Sequence, residues 1–109
     1  MFFMGIDIGT QGVRTVVSDE KGMIAAGSSV SFSSLNISGT PGFYEQDPAM
    51  WWDAASEAIV KTVAGMKAKG YDPSDIVAVS VDGTSGTILP IDENNRPLYA
   101  GIMYNDMRS

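Results

Sequence analysis

Apolar residues fill the first stretch of the chain in short runs that are typical of strands. The runs cover residues 2–8 and 13–18, with a Gly/Thr turn between them, and a third run of smaller side chains covers residues 23–32. Runs of this length that are bounded by Gly, Asp and Ser indicate strands rather than helices. We therefore predict three strands that are joined by tight turns and form an antiparallel meander.

The pattern changes to a helical period after a polar loop at residues 33–46. Asp47 and Pro48 are typical of a helix start, as the N-cap and the first helical residue, and Gly70 is typical of a helix end. Between them, apolar residues recur at helical spacing: Trp52, Ala55, Ile59, Thr62 or Val63, and Met66. We predict that this stripe packs on the sheet, with one of the two adjacent tryptophans on the sheet and the other over the loop.

The last third of the chain returns to short apolar runs. Residues 76–81 show little alternation, which is typical of a strand that is buried on both faces. Further strands are predicted at residues 87–91 and 98–104, with a turn at residues 92–95 between them. Strands, a helix and more strands indicate an α/β or α+β domain, and the order alone leaves the arrangement open.

Composition limits the classes of function. The chain has 109 residues and a formal net charge of −6. It lacks the basic stripe that a nucleic-acid partner requires, and its acidity disfavours an anionic membrane surface. The absence of Cys and His excludes disulfides, the usual zinc sites and Ser–His catalysis within the chain. The apolar start has no basic leader and no run reaches membrane-spanning length, so we expect a cytoplasmic protein.

The turn between the first two predicted strands has residue types that suit the phosphates of a nucleotide. Asp7, at the end of a strand, has the type of side chain that binds Mg²⁺, either directly or through water. Gly9 and Gly12 let the backbone come close to phosphate oxygens. The other polar side chains supply hydrogen-bond donors and a permanent positive charge: Thr10, Gln11 and Arg14. The alternative is a plain β-hairpin with a Gly turn. The spacing of the glycines and the residues that follow match neither a P-loop nor a dinucleotide-binding fingerprint.

Acidic residues also follow two later predicted strands. Asp82 and Asp106, like Asp7, lie at strand ends, where open α/β sheets tend to bind ligands. The alternative for each is a carboxylate that caps a turn. Three such acids together favour a ligand site.

Three stretches of the chain resemble the FGGY carbohydrate kinases, a family of actin-like sugar kinases. Residues 5–14 (GIDIGTQGVR) are similar to the first phosphate motif of the family, and residues 42–52 (GFYEQDPAMWW) to the segment before its first long helix. Residues 80–87, 95–98 and 103–108 resemble its sugar-site strand, the turn and the following strand. The motifs occur in the order and spacing of the family and cover essentially the whole chain.

The resemblance implies an α/β fold: the amino-terminal portion of an actin-like, ribonuclease-H-like ATPase domain, with a mixed sheet made of an antiparallel β-meander, then a helix and further strands. It implies that residues 1–109 are the first part of the first kinase domain. The rest of that domain and a second domain, with the adenine pocket and the catalytic Asp, would lie outside this chain. We therefore expect the isolated chain to have no kinase turnover, and its uncovered strand edges favour a homodimer.

The resemblance also implies the ligands of individual residues. Asp7 would lie close to Mg²⁺ and the γ-phosphate of ATP. The phosphates would be surrounded by four further residues: Gly9, Thr10, Gln11 and Arg14. The sugar would be contacted by a second set: Asp82, Gly83, Thr84, Ser85, Asn105 and Asp106.

The implied reaction is ATP-dependent phosphorylation of a pentulose at a primary hydroxyl. The loop Asp-Gly-Thr-Ser-Gly is similar to that of the ribulokinase-like and xylulokinase-like members. The typical xylulokinase loop has a Met-His pair, whereas this chain has no His. The glycerol kinase loop has an Arg-Glu pair, whereas this chain has Gly83 and Thr84 at the corresponding positions. These departures favour D-ribulose over D-xylulose. The alternative function is a non-catalytic, actin-like nucleotide-binding module.

Overall fold

The first three strands form the meander that the sequence predicts. In the computed structural model, which describes residues 1–108, β1 spans Phe2–Ile8, β2 spans Gly12–Asp19 and β3 spans Ile24–Ser31. β2 pairs antiparallel with β1 on one side and with β3 on the other. Gly22 has a φ of 81° in the second turn, a conformation that Gly adopts without strain.

The helix α1, Pro48–Ala68, begins and ends where the sequence predicts. The Asp47 carboxylate accepts a hydrogen bond from the backbone N–H of Ala49 at 2.9 Å, which satisfies one of the free donors of the first turn. Gly70 follows the helix with a φ of 82°. Within residues 1–108, no helix combines the length and the hydropathy that a membrane span needs.

The buried face of α1 is rotated relative to the predicted stripe. The buried helix residues are mostly small: Ala54, Ala55, Ala58, Thr62 and Met66. One of the two tryptophans was predicted to pack on the sheet, and it is not Trp52 of the predicted stripe, whose side chain is 74% exposed. Trp51 is the half-buried tryptophan instead. A buried indole N–H needs an acceptor, and the Gln46 side-chain oxygen supplies one to Trp51 at 2.8 Å.

The fourth strand of the sheet is parallel to the first. After a turn of 3₁₀ helix at Pro73–Asp75, β5 spans Ile76–Gly83 and pairs with β1, which gives the mixed order β3-β2-β1-β5. The core lies between α1 and one face of the meander. Its residues come from the three strands of the meander, from α1 and from the position directly after β3. They are Met4, Ile6, Val13, Val17, Ala25, Ala26, Phe32, Ala54, Ala55, Ala58 and Met66.

The prediction that residues 76–81 are buried on both faces is wrong for the described chain. Val77, Val79 and Val81 are 57–61% exposed. The reason is the position of α1, which packs mainly across β2 and β3 and leaves β5 at an uncovered edge of the sheet.

The segment after β5 contains much less strand than the sequence predicts. In place of strands at residues 87–91 and 98–104, it has β6, Gly101–Ile102, which pairs antiparallel with β4, Glu45–Gln46. The remaining pairing consists of isolated bridges, Ile88 with Ile102 and Ile91 with Pro97. The prolines at positions 90 and 97 have no N–H to donate to a ladder, which explains why longer strands do not form.

Candidate functional site

Four paired strands bring a row of polar side chains onto the sheet face opposite α1. Asp7 of β1 lies in register with Arg14 of β2 and with Asp82 of β5, and Arg14 in turn lies in register with Ser29 of β3. Register partners on neighbouring strands point to the same face of a sheet. All four side chains are exposed. The row therefore places two carboxylates and one guanidinium beside one another on an open surface.

The turn between β1 and β2 contains two glycines with different surroundings. The backbone N–H of Gly9 donates to the carbonyl of Gly12 at 2.9 Å, which closes the turn. A Cβ on Gly12 would lie 2.4 Å from the carbonyl oxygen of Val30, so strand packing excludes a side chain there. A Cβ on Gly9 would be 3.5 Å from its nearest neighbour, the Gly12 oxygen, which is an ordinary contact. The fold does not require Gly at position 9, whereas close approach of a ligand to the backbone would.

A depression of about 500 Å³ opens over this turn. Its wall includes all the residues that are predicted to bind the nucleotide phosphates: Asp7, Gly9, Thr10, Gln11 and Arg14. Ser29, Ser31 and Tyr104 also line it, and none of them is among the site residues predicted from the sequence. The register with Arg14 puts Ser29 on this face, whereas Tyr104 comes from a distant segment that gives no local signal. We call this depression the phosphate depression.

A second depression, of about 280 Å³, adjoins the first, since Gly9 lines both. Asp82, Gly83 and Thr84 of the predicted sugar loop lie in its wall, together with Trp51. The Thr84 and Thr87 hydroxyls are 2.7 Å apart and hydrogen-bonded, which orients this side of the wall. Hydroxyl, carboxylate and aromatic groups in one wall suit a polyhydroxylated ligand. We call it the sugar depression.

Three of the residues predicted to bind the sugar lie elsewhere. Among residues 1–108, the walls of these two depressions include neither Ser85 nor Asn105 nor Asp106. Ser85 and Asn105 are exposed, and Asp106 is buried. The structure therefore brings together only the first half of the predicted sugar-binding set.

Asp106 belongs to a compact ionic cluster that we call the Arg108 clamp (Glu45, Asp106 and Arg108). Arg108 donates to Asp106 through Nε at 2.8 Å and Nη2 at 2.6 Å, and to Glu45 through Nη2 at 2.7 Å. The Asp106 carboxylate also accepts from the backbone N–H of Tyr44 at 2.7 Å. The Arg108 guanidinium lies 3.8 Å from the centre of the Phe43 ring, a cation–π contact.

The clamp determines the protonation of its acid. The hydrogen bonds from the Arg108 guanidinium hold the pKa of Asp106 well below its usual range, and they outweigh the desolvation that would raise it. The same side-chain bond to Asp106 raises the pKa of Arg108 further above its ordinary value. Asp106 is therefore ionised, and its oxygens join the chain end near residue 108 to the loop before α1. The geometry gives this residue a structural role.

The residues at the phosphate depression fit a metal that arrives with a nucleotide. Within residues 1–108, no group of three or more acidic side chains is placed to hold a metal ion by itself. Asp7 offers a carboxylate in the wall of this depression, and its register neighbour Asp82 lies in the wall of the sugar depression. In kinase sites Mg²⁺ uses one or two carboxylates, and substrate phosphates and water complete its coordination.

Known proteins match nearly the whole length of this chain. Residues 2–109 match the model of the N-terminal domain of the FGGY family of carbohydrate kinases. The chain is 33% identical to the xylulose kinase of Escherichia coli strain K12, over 97% of this chain and 20% of that relative. It is 29% identical to glycerol kinase 2 of Thermotoga maritima, over 99% of this chain and 21% of that relative.

The fold is similar to that of solved kinases. The crystal structure of a xyloylose kinase from Brucella ovis matches with a TM-score of 0.87 and 28% identity, over 99% of this chain and 22% of that one. The chain spans about a fifth of the length of the curated relatives that it matches. The predicted actin-like α/β fold is thereby confirmed, and the chain belongs to the FGGY family of carbohydrate kinases.

Proposed function

We propose that this chain is the first part of the amino-terminal domain of an ATP-dependent sugar kinase, which phosphorylates a pentulose at a primary hydroxyl. One observation carries the proposal: the phosphate depression and the sugar depression share Gly9 in their walls. Phosphoryl transfer between two substrates needs the donor and the acceptor hydroxyl in line and in contact. Two adjoining sites of the right chemistry support this arrangement.

The residues of the phosphate depression have distinct tasks in this proposal. Asp7 would hold Mg²⁺, which shields the charge on the transferred phosphoryl group. Arg14 offers a charged donor to phosphate oxygens. Thr10 and Gln11 add neutral donors at the turn.

The residues of the sugar loop would bind the acceptor. The carboxylate of Asp82 accepts hydrogen bonds from sugar hydroxyls, and the hydroxyl of Thr84 both donates and accepts. Gly83 leaves room for the open chain of a pentulose. Ser85 and Asn105, which are exposed, stay predicted sugar contacts.

The preferred acceptor is D-ribulose, and D-xylulose is the second candidate. The relatives named above are a xylulose kinase and a glycerol kinase. This chain has no His for the Met-His pair of the typical xylulokinase loop, and Gly83 and Thr84 stand in place of the Arg-Glu pair of glycerol kinase. Glycines and small hydroxyl residues at these positions favour a pentulose over glycerol, which fills less space.

The test is a steady-state assay of ADP release by the complete protein, with D-ribulose, D-xylulose and glycerol as acceptors. We expect kcat/KM for D-ribulose to exceed that for D-xylulose by about tenfold, which corresponds to about 1.4 kcal/mol of transition-state stabilisation. The isolated 109-residue chain should show no turnover, since the catalytic base is expected elsewhere. Nucleotide binding without ADP release for any sugar would instead favour the non-catalytic module.

A further inference from the structure

A single buried side chain joins the phosphate turn to the wall of the sugar depression. Gln46 has 0% of its surface exposed. Its Nε2 donates to the carbonyl of Thr10 at 2.9 Å and to the carbonyl of Leu35 at 3.1 Å. Its Oε1 accepts from the indole N–H of Trp51 at 2.8 Å. Both amide donors and the amide oxygen are thus used, by the phosphate turn, the loop before β4 and the helix α1.

Trp51 is restrained on more than one side. Its ring lies against the backbone of β6, where a Cβ on Gly101 would be 2.2 Å from the ring atom Cη2. Its N–H is held by Gln46. The same ring lines the sugar depression beside Asp82 and Thr84. A ligand that settles against this ring therefore cannot displace it without moving Gln46 or breaking the indole hydrogen bond.

The other end of the connection lies in the phosphate turn. Thr10, whose carbonyl Gln46 holds, follows Gly9 and precedes Gln11, and all three residues line the phosphate depression. The next carbonyl, that of Gln11, accepts from the backbone N–H of Phe32 at 2.9 Å. The orientation of the peptide after Thr10 thus depends on one side chain, which also holds the wall of the neighbouring depression.

We propose that Gln46 is a positioning residue that couples sugar binding to nucleotide binding. This inference rests on the proposed function. A sugar packed on Trp51 restricts the indole, the indole fixes the amide of Gln46, and the amide fixes the Thr10 carbonyl and with it the phosphate turn. Because coupling between two sites is reciprocal, bound nucleotide raises the affinity for sugar by the same factor. If Gln46 only attached the loop of residues 33–46 to the sheet, its loss would change stability and leave this factor unchanged.

The coupling is measured in the complete protein by calorimetry. The quantity is the ratio of the dissociation constants of Mg²⁺–AMP-PNP without and with saturating D-ribulose, repeated with D-xylulose. For the wild type we expect a ratio of at least about fivefold, the lower end of typical coupling between sites. Trp51→Phe keeps an aromatic ring and removes the indole donor, so the ratio should fall below about twofold, while the affinity for AMP-PNP alone changes by less than about twofold.

Two further variants complete the test. Gln46→Glu keeps the size of the side chain and removes both donors, so it should abolish coupling and also weaken AMP-PNP binding in the absence of sugar. Trp52→Phe is the matched control, since it makes the same change at the next position, where the side chain is 74% exposed. It should leave the ratio at the wild-type value.

The outcomes separate the inference from the proposed function. A wild type that binds neither AMP-PNP nor either sugar overturns both. A wild type that turns over sugar, but binds the two ligands independently, overturns the coupling alone. The coupling is also overturned by a Trp51→Phe variant that keeps the wild-type ratio of dissociation constants and differs only in a lower melting temperature.

Discussion

Two pairs of acidic side chains in this chain have opposite surroundings. Asp7 and Asp82 lie side by side at exposed strand ends, and neither takes part in the ion pairs within residues 1–108. Glu45 and Asp106 are buried and share Arg108. Burial of a carboxylate is costly unless a partner offsets the lost hydration, and Arg108 provides that partner. The exposed pair keeps its hydration and stays available to a ligand.

The difference separates the acids that the fold uses from those that a ligand can use. Asp7, Asp82 and Asp106 all follow predicted strands, so position along the chain does not distinguish them. Burial and charge pairing do, because a carboxylate that is held by a guanidinium and a backbone N–H has little capacity left for a sugar or a metal.

The largest effect is expected at Asp7. In the complete protein, Asp7→Asn should lower kcat by about 10²–10³-fold, the usual cost of removing one group that stabilises charge in a transition state. The melting temperature should stay the same, since no ion pair is lost. Turnover and thermal unfolding are measured on one preparation. Asp53→Asn, an exposed acid on α1, is the control and should keep full activity; an unaffected rate in Asp7→Asn would contradict the assignment of the phosphate turn.

Substitution of the two glycines of the turn separates a residue that the fold requires from one that ligand binding requires. Gly12→Ala places a Cβ 2.4 Å from the Val30 oxygen, so the free energy of unfolding should fall by about 1–3 kcal/mol in urea titrations. Gly9→Ala meets only an ordinary contact, so stability should be kept while affinity for Mg²⁺–AMP-PNP falls by about tenfold, or about 1.4 kcal/mol. Gly39→Ala, with open space around the new methyl group, is the control. Equal stability losses in the Gly9 and Gly12 variants would show that the fold requires both glycines, which contradicts a role of Gly9 in ligand binding alone.

Asp106 should respond in the opposite way to Asp7. Asp106→Asn removes the charge that Arg108 and the Tyr44 N–H bind, so the melting temperature should fall by several degrees. KM for the sugar should change by less than about twofold if the role of Asp106 is structural. Unchanged stability together with a much higher KM for the sugar would show that Asp106 binds the sugar.

The same residue predicts a pH dependence. The folded state holds the pKa of Asp106 below the value of about 3.9 that is typical of an unfolded chain. As the pH falls, the unfolded state therefore takes up the proton first, and stabilisation that is full above about pH 5 is lost progressively below it. The melting temperature of the wild type should fall more steeply than that of Asp106→Asn between about pH 5 and pH 2. Parallel curves would contradict the clamp.

The smallest effect is expected where charges are paired without burial. Glu57 and Lys61 form an i,i+4 pair at 2.6 Å on α1, with about half of each side chain exposed, 53% and 54%. Lys61→Gln should change the free energy of unfolding by less than about 0.5 kcal/mol, because water screens such pairs. The difference in the free energy of unfolding between Lys61→Gln and the wild type should vanish in 1 M NaCl, where the screening length is about 3 Å. A larger change would show that pairing alone, without burial, stabilises this chain.

Local signals in the sequence predicted the meander and the helix α1. The helix start at Asp47 and its end at Gly70 each depend on one residue and its immediate neighbours, and both are confirmed. The error at Trp52 has a different origin. Both tryptophans fit a helical stripe within one residue, and the choice between them depends on Gln46, which lies on another element.

The predictions for the candidate site divide in the same way. Five phosphate-binding residues were predicted together because they lie within eight positions of one turn, and the structure places them around one depression. Tyr104 was not assigned to the site, since it reaches the phosphate depression from a distant segment. Trp51 was assigned to packing, and the structure places it both beside the core and in the wall of the sugar depression. Residues 87–91 and 98–104 were predicted as strands from their apolar content, but pairing depends on a partner strand, and the partner found is the short β4.

The sequence by itself determined the meander, the helix α1 that follows it, the Gly-containing turn after Asp7 and the family to which the chain belongs. These properties depend on backbone preferences and on motifs of a few adjacent residues, which are present in any conformation of the chain. The tertiary structure alone decided which acid is exposed and which is clamped, which tryptophan faces inward, and that Gln46 joins the two depressions. Desolvation and hydrogen bonding across distant segments settle these properties, and both exist only once the segments have come together.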